Sequence, residues 1–129
     1  MSVVIVTGAA SGMGRATAHL FADEGARVCV ADLGAARVAT VVDEIRAAGG
    51  EAVANTDSVA TPEGGAAIVQ SAVDAFGKVD IVINNAGVLR PKMVWNMPEA
   101  DWDLVLVSLV KHQIVEALFV SPARYALRQ

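Results

Sequence analysis

The run Thr7-Gly8-Ala9-Ala10-Ser11-Gly12-Met13-Gly14 has the residue types of a loop that holds an anionic phosphate. It follows the apolar stretch Val3–Val6 and opens a helical pattern. Gly8 permits a sharp turn out of a strand. Gly12 and Gly14 remove side chains where a pyrophosphate must approach backbone and helix. A helix N-terminus there offers free N–H groups and a partial positive charge. The spacing is Gly-x-x-x-Gly-x-Gly, not Gly-x-Gly-x-x-Gly. No Gly-Lys-Ser/Thr follows, so the sequence is not a nucleoside-triphosphate loop. The plain alternative is a glycine-rich strand–helix turn without a ligand.

Two further groups fit a nucleotide. Asp32 ends the apolar stretch Val28–Ala31, at the distance where an acid can accept hydrogen bonds from an adenosine ribose, about 20 residues past the glycines. Its charge would repel a 2′-phosphate, so NAD is expected in preference to NADP. The alternative is a solvated acid that caps the next helix. Asn84-Asn85-Ala86-Gly87 closes another apolar stretch. Small residues there let a nucleotide lie across the carboxyl ends of strands, and asparagine satisfies loop backbone groups. A simple turn is the alternative.

The other reactive side chains suggest less. The single cysteine excludes a disulfide scaffold or a Cys-rich zinc site. Cys29 reads as a buried strand residue, His19 as a helix-surface residue and His112 as a tail residue. The two histidines lack metal-ligand spacing, and no metal site is expected. Glu99, Asp101 and Asp103 favour a helix N-terminus. Trp95 and Trp102 read as packing residues.

The elements that must position these groups are legible as alternating periods. Val3–Val6, Arg27–Ala31, Glu51–Asn55 and Val79–Ile83 are short, β-branched and nearly continuous, as strands buried on both faces are. Ala16, Leu20 and Phe21 mark a helix from about Met13 to Asp23. Val38, Val41, Val42 and Ile45 mark a second, stopped by Gly49-Gly50. Ile68, Val69, Ala72, Val73 and Phe76 mark a third, opened by Thr61-Pro62 and closed by Gly77. Trp102, Val105, Leu106, Leu109 and Val110 mark a fourth from near Pro98. The order β-α-β-α-β-α-β-α predicts an α/β fold: a partial doubly wound, Rossmann-type parallel sheet of about four strands with helices on both faces.

Of the 129 residues 54% are hydrophobic and 19% charged, with a formal net charge of −4. That excludes disorder, and no basic patch suggests nucleic acid. No stretch reaches the ~20 apolar residues that span a bilayer, and no signal peptide opens the chain. A cytoplasmic protein without a membrane partner is expected, with Cys29 reduced.

Thr-Gly-x-x-x-Gly-x-Gly after the first strand and Asn-Asn-Ala-Gly after the fourth, both intact here, resemble the marks of the short-chain dehydrogenase/reductase family. Asp57-Ser58 after the third strand and Trp102-Asp103 at the fourth predicted helix are similar too. The resemblance covers residues 1 to about 107. It implies hydride transfer between a nicotinamide dinucleotide and a small alcohol or ketone. It implies that Gly8, Ser11, Gly12, Met13 and Gly14 surround the pyrophosphate and adenosine ribose. Asp32 and Leu33 would hold ribose hydroxyls, and Asp57 and Ser58 would contact adenine. Asn84, Ala86 and Gly87 would line the wall nearest the nicotinamide, with Thr7 and Asn84 tying the first strand to the fourth.

Family members run to about twice this length, with a Ser, a Tyr-x-x-x-Lys pair and a helix Asn in the second half. None is matched here, and no catalytic residue is assigned. Tyr125 is followed four positions later by Gln129; His112 and Gln113 stand where the Ser belongs, and Ser121 is too close to Tyr125. Ser108 takes the Asn place only with a shift of register. The chain therefore divides into a cofactor-binding part, residues 1–107, and residues 108–129 without a family match. The latter are either a frameshifted or truncated gene end or a genuine divergent tail. Three functions remain open: a shortened NAD-dependent oxidoreductase, a dinucleotide-binding protein without catalysis, and a non-functional fragment. An exposed edge at Val79–Ile83 would favour self-association, and a homo-oligomer is expected.

Overall fold

The computed structural model describes residues 1–87 and 93–106. The β-branched runs form strands Val3–Thr7 (β1), Arg27–Ala31 (β2), Glu51–Asn55 (β3) and Ile81–Ile83 (β4). Between them lie helices Gly12–Asp23 (α1), Ala35–Ala47 (α2) and Pro62–Phe76 (α3), and Glu99–Leu106 (α4) follows a 3₁₀ turn at Val94–Asn96. The strands are parallel, in the order β3-β2-β1-β4. Val3 pairs with Arg27, Arg27 with Glu51, and Val4 with Ile81.

Each inner strand is apolar on both sides because each side is covered. Val4, Val6, Val28 and Val30 face one core with Ala18 of α1 and Val38, Val41, Val42 and Ile45 of α2. Val3, Ile5, Cys29 and Ala31 face the other, with Ile68, Val69 and Ala72 of α3. Helices thus cover both faces of the sheet.

Local signals stop the helices where expected. Thr61 Oγ1 accepts the Gly64 N–H at 3.0 Å, Pro62 opens α3, and Gly77 closes it at φ +81°. α2 ends at Ala47, and the Gly50 N–H donates to the Ile45 carbonyl at 2.9 Å.

Three details depart from the sequence pattern. β4 begins at Ile81 rather than Val79. Ahead of it the Asp80 N–H donates to Val3 O at 2.9 Å, while Asp80 Oδ2 accepts the Val3 N–H at 2.8 Å and pairs with Lys78. A carboxylate therefore replaces part of the ladder. In α1 the buried residues are Gly14 and Ala18, whereas Leu20 is 61% exposed. Along α4 no described residue is buried, and Leu109 and Val110 lie outside the described residues. Among the described residues no helix is long and apolar enough to cross a membrane.

Candidate functional site

The chain leaves β1 toward β2 on one side and returns as β4 on the other. In such a sheet the crevice forms where the strand order reverses, outside the carboxyl ends of the strands. A cleft of about 470 Å³ lies there. Of the expected residues, Gly8, Ser11, Met13, Asp32, Leu33, Asp57, Ser58, Ala86 and Gly87 line it. Gly12, Gly14 and Asn84 do not. Ala31, Val59, Ala60, Asn85 and Leu104 join the lining without having been expected.

The glycines act in different ways. Gly8 has φ +62°, and a Cβ there would stand 3.0 Å from Ala86 Cα. Gly14 has no unusual φ, but its Cβ would stand 2.1 Å from Gly8 O, so only glycine lets α1 begin against the loop. Gly12 has φ +57° and nothing within 4 Å of a built Cβ, which leaves open space in front of the backbone. Ser11 is the N-cap of α1 in extended conformation, with no capping hydrogen bond from its side chain. A serine at this position ordinarily closes the helix start itself. Here its hydroxyl leaves that end to another acceptor.

Asp32 follows β2. Its Oδ2 accepts the Ala10 N–H at 3.0 Å and its Oδ1 accepts the Leu33 N–H at 2.7 Å. The carboxylate is thereby locked to the glycine loop, with lone pairs remaining on both oxygens. It does not cap the following helix: Gly34 is that cap, without a side-chain bond. Leu33 beside it is 67% exposed. Across the cleft, Ser58 Oγ accepts the Ala60 N–H at 3.0 Å, and a Cβ on Gly64 would meet Ser58 O at 1.8 Å. The start of α3 is therefore pressed against the Ser58 backbone.

The tie between β1 and β4 is made by Asn85, not Asn84. Thr7 Oγ1 accepts the Asn85 N–H at 3.1 Å and the Ala86 N–H at 3.0 Å, and donates to Ile83 O at 3.4 Å. Asn85 Nδ2 donates to Thr7 O at 3.2 Å and Gly8 O at 3.3 Å. Asn84 is exposed. Successive side chains of an extended chain point opposite ways, so only one of two neighbouring asparagines can face β1.

Elsewhere, Cys29 is buried and its thiol is pushed up to about 12 by desolvation. Glu44 of α2 accepts from His19 and Arg15 of α1; the His19 and Arg15 hydrogen bonds hold its carboxyl below the usual range. His19 is thus a half-buried bridge between helices rather than a simple surface residue. Trp95 and Trp102 are 74% and 51% exposed, not packed as expected. Among the described residues no group of three or more His, Cys, Asp or Glu could hold a metal ion. Ser108, His112, Gln113, Ser121, Tyr125 and Gln129 lie outside the described residues.

Residues 2–112 match the family model for short chain dehydrogenase. The peroxisomal multifunctional enzyme A of Dictyostelium discoideum is 53% identical over 112 residues, which are 80% of this chain and 25% of that protein. A short chain dehydrogenase/reductase from Burkholderia phymatum, solved in complex with NAD, superposes with TM-score 0.86 at 34% identity, over 92% of this chain and 42% of that one. A metagenomic short-chain oxidoreductase solved with NADP does so with TM-score 0.84 at 32% identity, over 97% of this chain and 57% of that one. The chain thus spans a quarter of the first relative and less than two thirds of both solved structures.

Proposed function

The chain belongs to the short-chain dehydrogenase family, and on that premise we propose that residues 1–107 are the cofactor-binding part of an NAD-dependent oxidoreductase. The reaction class is hydride transfer between the nicotinamide and a small alcohol or ketone. The observation that carries this reading is the carboxylate of Asp32, locked by the Ala10 N–H to the glycine loop at the cleft.

The residues fit a dinucleotide. Gly8 and Gly14 keep the loop free of side chains that would collide with their surroundings, and Gly12 leaves its backbone open. Ser11, Met13 and the start of α1 would take the pyrophosphate, where N–H groups and the helix dipole favour an anion. Asp32 and Leu33 would hold the ribose hydroxyls. Asp57 and Ser58 would meet adenine, and Ala86 and Gly87 would flank the nicotinamide half, with Asn85 holding that wall to β1. When bound, the nicotinamide supplies the hydride carrier; these residues bind and orient it.

Preference for NAD over NADP rests on the charge of Asp32. Buried or half-buried hydrogen bonds to charged groups contribute roughly 1.5–3 kcal/mol, and a 2′-phosphate replaces that gain with repulsion. Fluorescence titration of NADH and NADPH tests it. NADH is expected to bind more tightly, and Asp32→Ala to narrow the gap. Equal or tighter NADPH binding in the unaltered chain overturns the preference.

A second reading, dinucleotide binding without catalysis, is favoured by Gln129 standing where a lysine would follow Tyr125. A neutral glutamine supplies no positive charge to lower the phenol's ordinary pKa of about 10. Under either reading we propose a cytoplasmic protein, a homo-oligomer formed through the β4 side of the sheet, and a division in sequence between residues 1–107 and 108–129.

A further inference from the structure

Asn55, the last residue of β3, is only 7% exposed, and its carbonyl and both atoms of its side-chain amide are engaged. Its backbone carbonyl accepts the Asp32 N–H at 3.1 Å. Its side-chain Oδ1 accepts the Asp57 N–H at 2.7 Å. Its Nδ2 donates to Asp57 Oδ2 at 2.8 Å and to Ser71 Oγ of α3 at 2.8 Å. The orientation of the amide is fixed by chemistry. A backbone N–H can only donate, so the atom facing Asp57 N is the oxygen. The Ser71 hydroxyl donates to Ala67 O at 3.0 Å, so its oxygen is left to accept from Nδ2.

We infer that Asn55 is a positioning residue for the adenosine half of the cofactor, aiming the Asp57 carboxylate into the cleft and bracing it against α3. The inference rests on the proposed role of Asp57 at adenine. Asn55 itself is absent from the cleft lining, whereas Asp32 and Asp57 both line it. One residue therefore sets two carboxylates by separate means, its main chain for Asp32 and its side chain for Asp57. Substitution removes the second and spares the first. An aspartate at this position could still accept from Asp57 N–H. Its other oxygen would face Asp57 Oδ2, replacing that hydrogen bond with repulsion, and Ser71 could reach it only by turning its hydroxyl away from Ala67 O. Alanine would remove all side-chain restraint.

A carboxylate that accepts from the exocyclic amino group of adenine discriminates against hypoxanthine, which carries an oxygen there. The test titrates the full chain with NADH, its hypoxanthine analogue (deamino-NADH) and NADPH, for the wild type, Asn55→Ala, Asn55→Asp and the gentler Ser71→Ala. The wild type is expected to prefer adenine by roughly tenfold, the size of one charge-assisted hydrogen bond. Both Asn55 variants should bring that ratio near one, with Ser71→Ala between, while the NADH-to-NADPH ratio stays as in the wild type. If an Asn55 variant does not fold, Ser71→Ala carries the same reading through a reduced adenine ratio. A structural defect alone lowers every affinity and leaves the ratios in place, and that result overturns the inference. Loss of both ratios together overturns it too. No adenine preference in the wild type removes the role of Asp57 itself, and the inference falls with it.

Discussion

The methyl group introduced by Gly14→Ala would stand 2.1 Å from Gly8 O and 2.6 Å from Asn85 Nδ2. Backbone and tie would both have to move. Overpacking of this kind costs roughly 1–3 kcal/mol, and here the displaced atoms shape the cleft. Gly14→Ala should therefore lower the urea midpoint and weaken NADH binding together. Gly12→Ala meets open space and costs about 1–2 kcal/mol through its left-handed backbone alone. The sequence pattern gives Gly8 a turn of its own but assigns Gly12 and Gly14 one shared use, room for a pyrophosphate, whereas a Cβ at Gly14 would meet the chain's own Gly8 and Asn85. The collision at Gly14 is between parts of the chain that meet only once β1, α1 and β4 are assembled. The same holds for Asn85. Adjacent asparagines are equivalent in a string, and the pleat decides which one faces Thr7.

Among the elements, Asp80 joins the starts of β1 and β4 through the Val3 N–H and Lys78. The Lys78 hydrogen bond, then the Val3 N–H, hold its carboxyl below the usual range. A depressed folded pKa means that this contribution is present above the unfolded value of about 3.9. It is lost as pH falls through the lower folded value. Asp80→Asn should be less stable than the wild type at neutral pH, with the difference shrinking toward zero on the acid side of that window. Urea midpoints measured against pH check this. Glu44 titrates in the same direction in both proteins, so the difference isolates Asp80. Strands β1, β2 and β3 were legible to within a residue, because a continuous β-branched run has one stable use in a sheet covered on both faces. The buried face of α1 was not, since Gly14 and Ala18 carry little hydrophobic signal while exposed Leu20 carries much. Nor were Trp95 and Trp102, whose exposure depends on what stands opposite rather than on their neighbours in the chain.

In the whole molecule, β1 is the hinge of the architecture. It is buried along its full length and carries strands on both sides. α1 and α2 cover one face and α3 the other. β1-α1-β2-α2-β3 can therefore build outward by neighbour joining neighbour. β4 cannot, because Thr7 and Ile83, which meet beside it, are 76 positions apart in sequence. Closing so long a loop costs entropy before any contact repays it. Half-exposed β4 should join late in folding and be the first strand to release in the native protein. Hydrogen exchange makes this order visible. The amides of Asp80 and Ala86, bonded to Val3 O and Thr7 Oγ1, should exchange by partial opening, well before those of the buried strand β2, which lies between β1 and β3. If the dinucleotide binds as proposed, across Ala86 and the glycine loop, it must wait for both to be in register. Its binding free energy, RT ln(1 + [L]/Kd), then falls mainly on that last-formed seam. Saturating NADH should slow exchange at Ala86 more than at Cys29 of β2, so that the ligand completes the folding of the strand which the chain itself secures least.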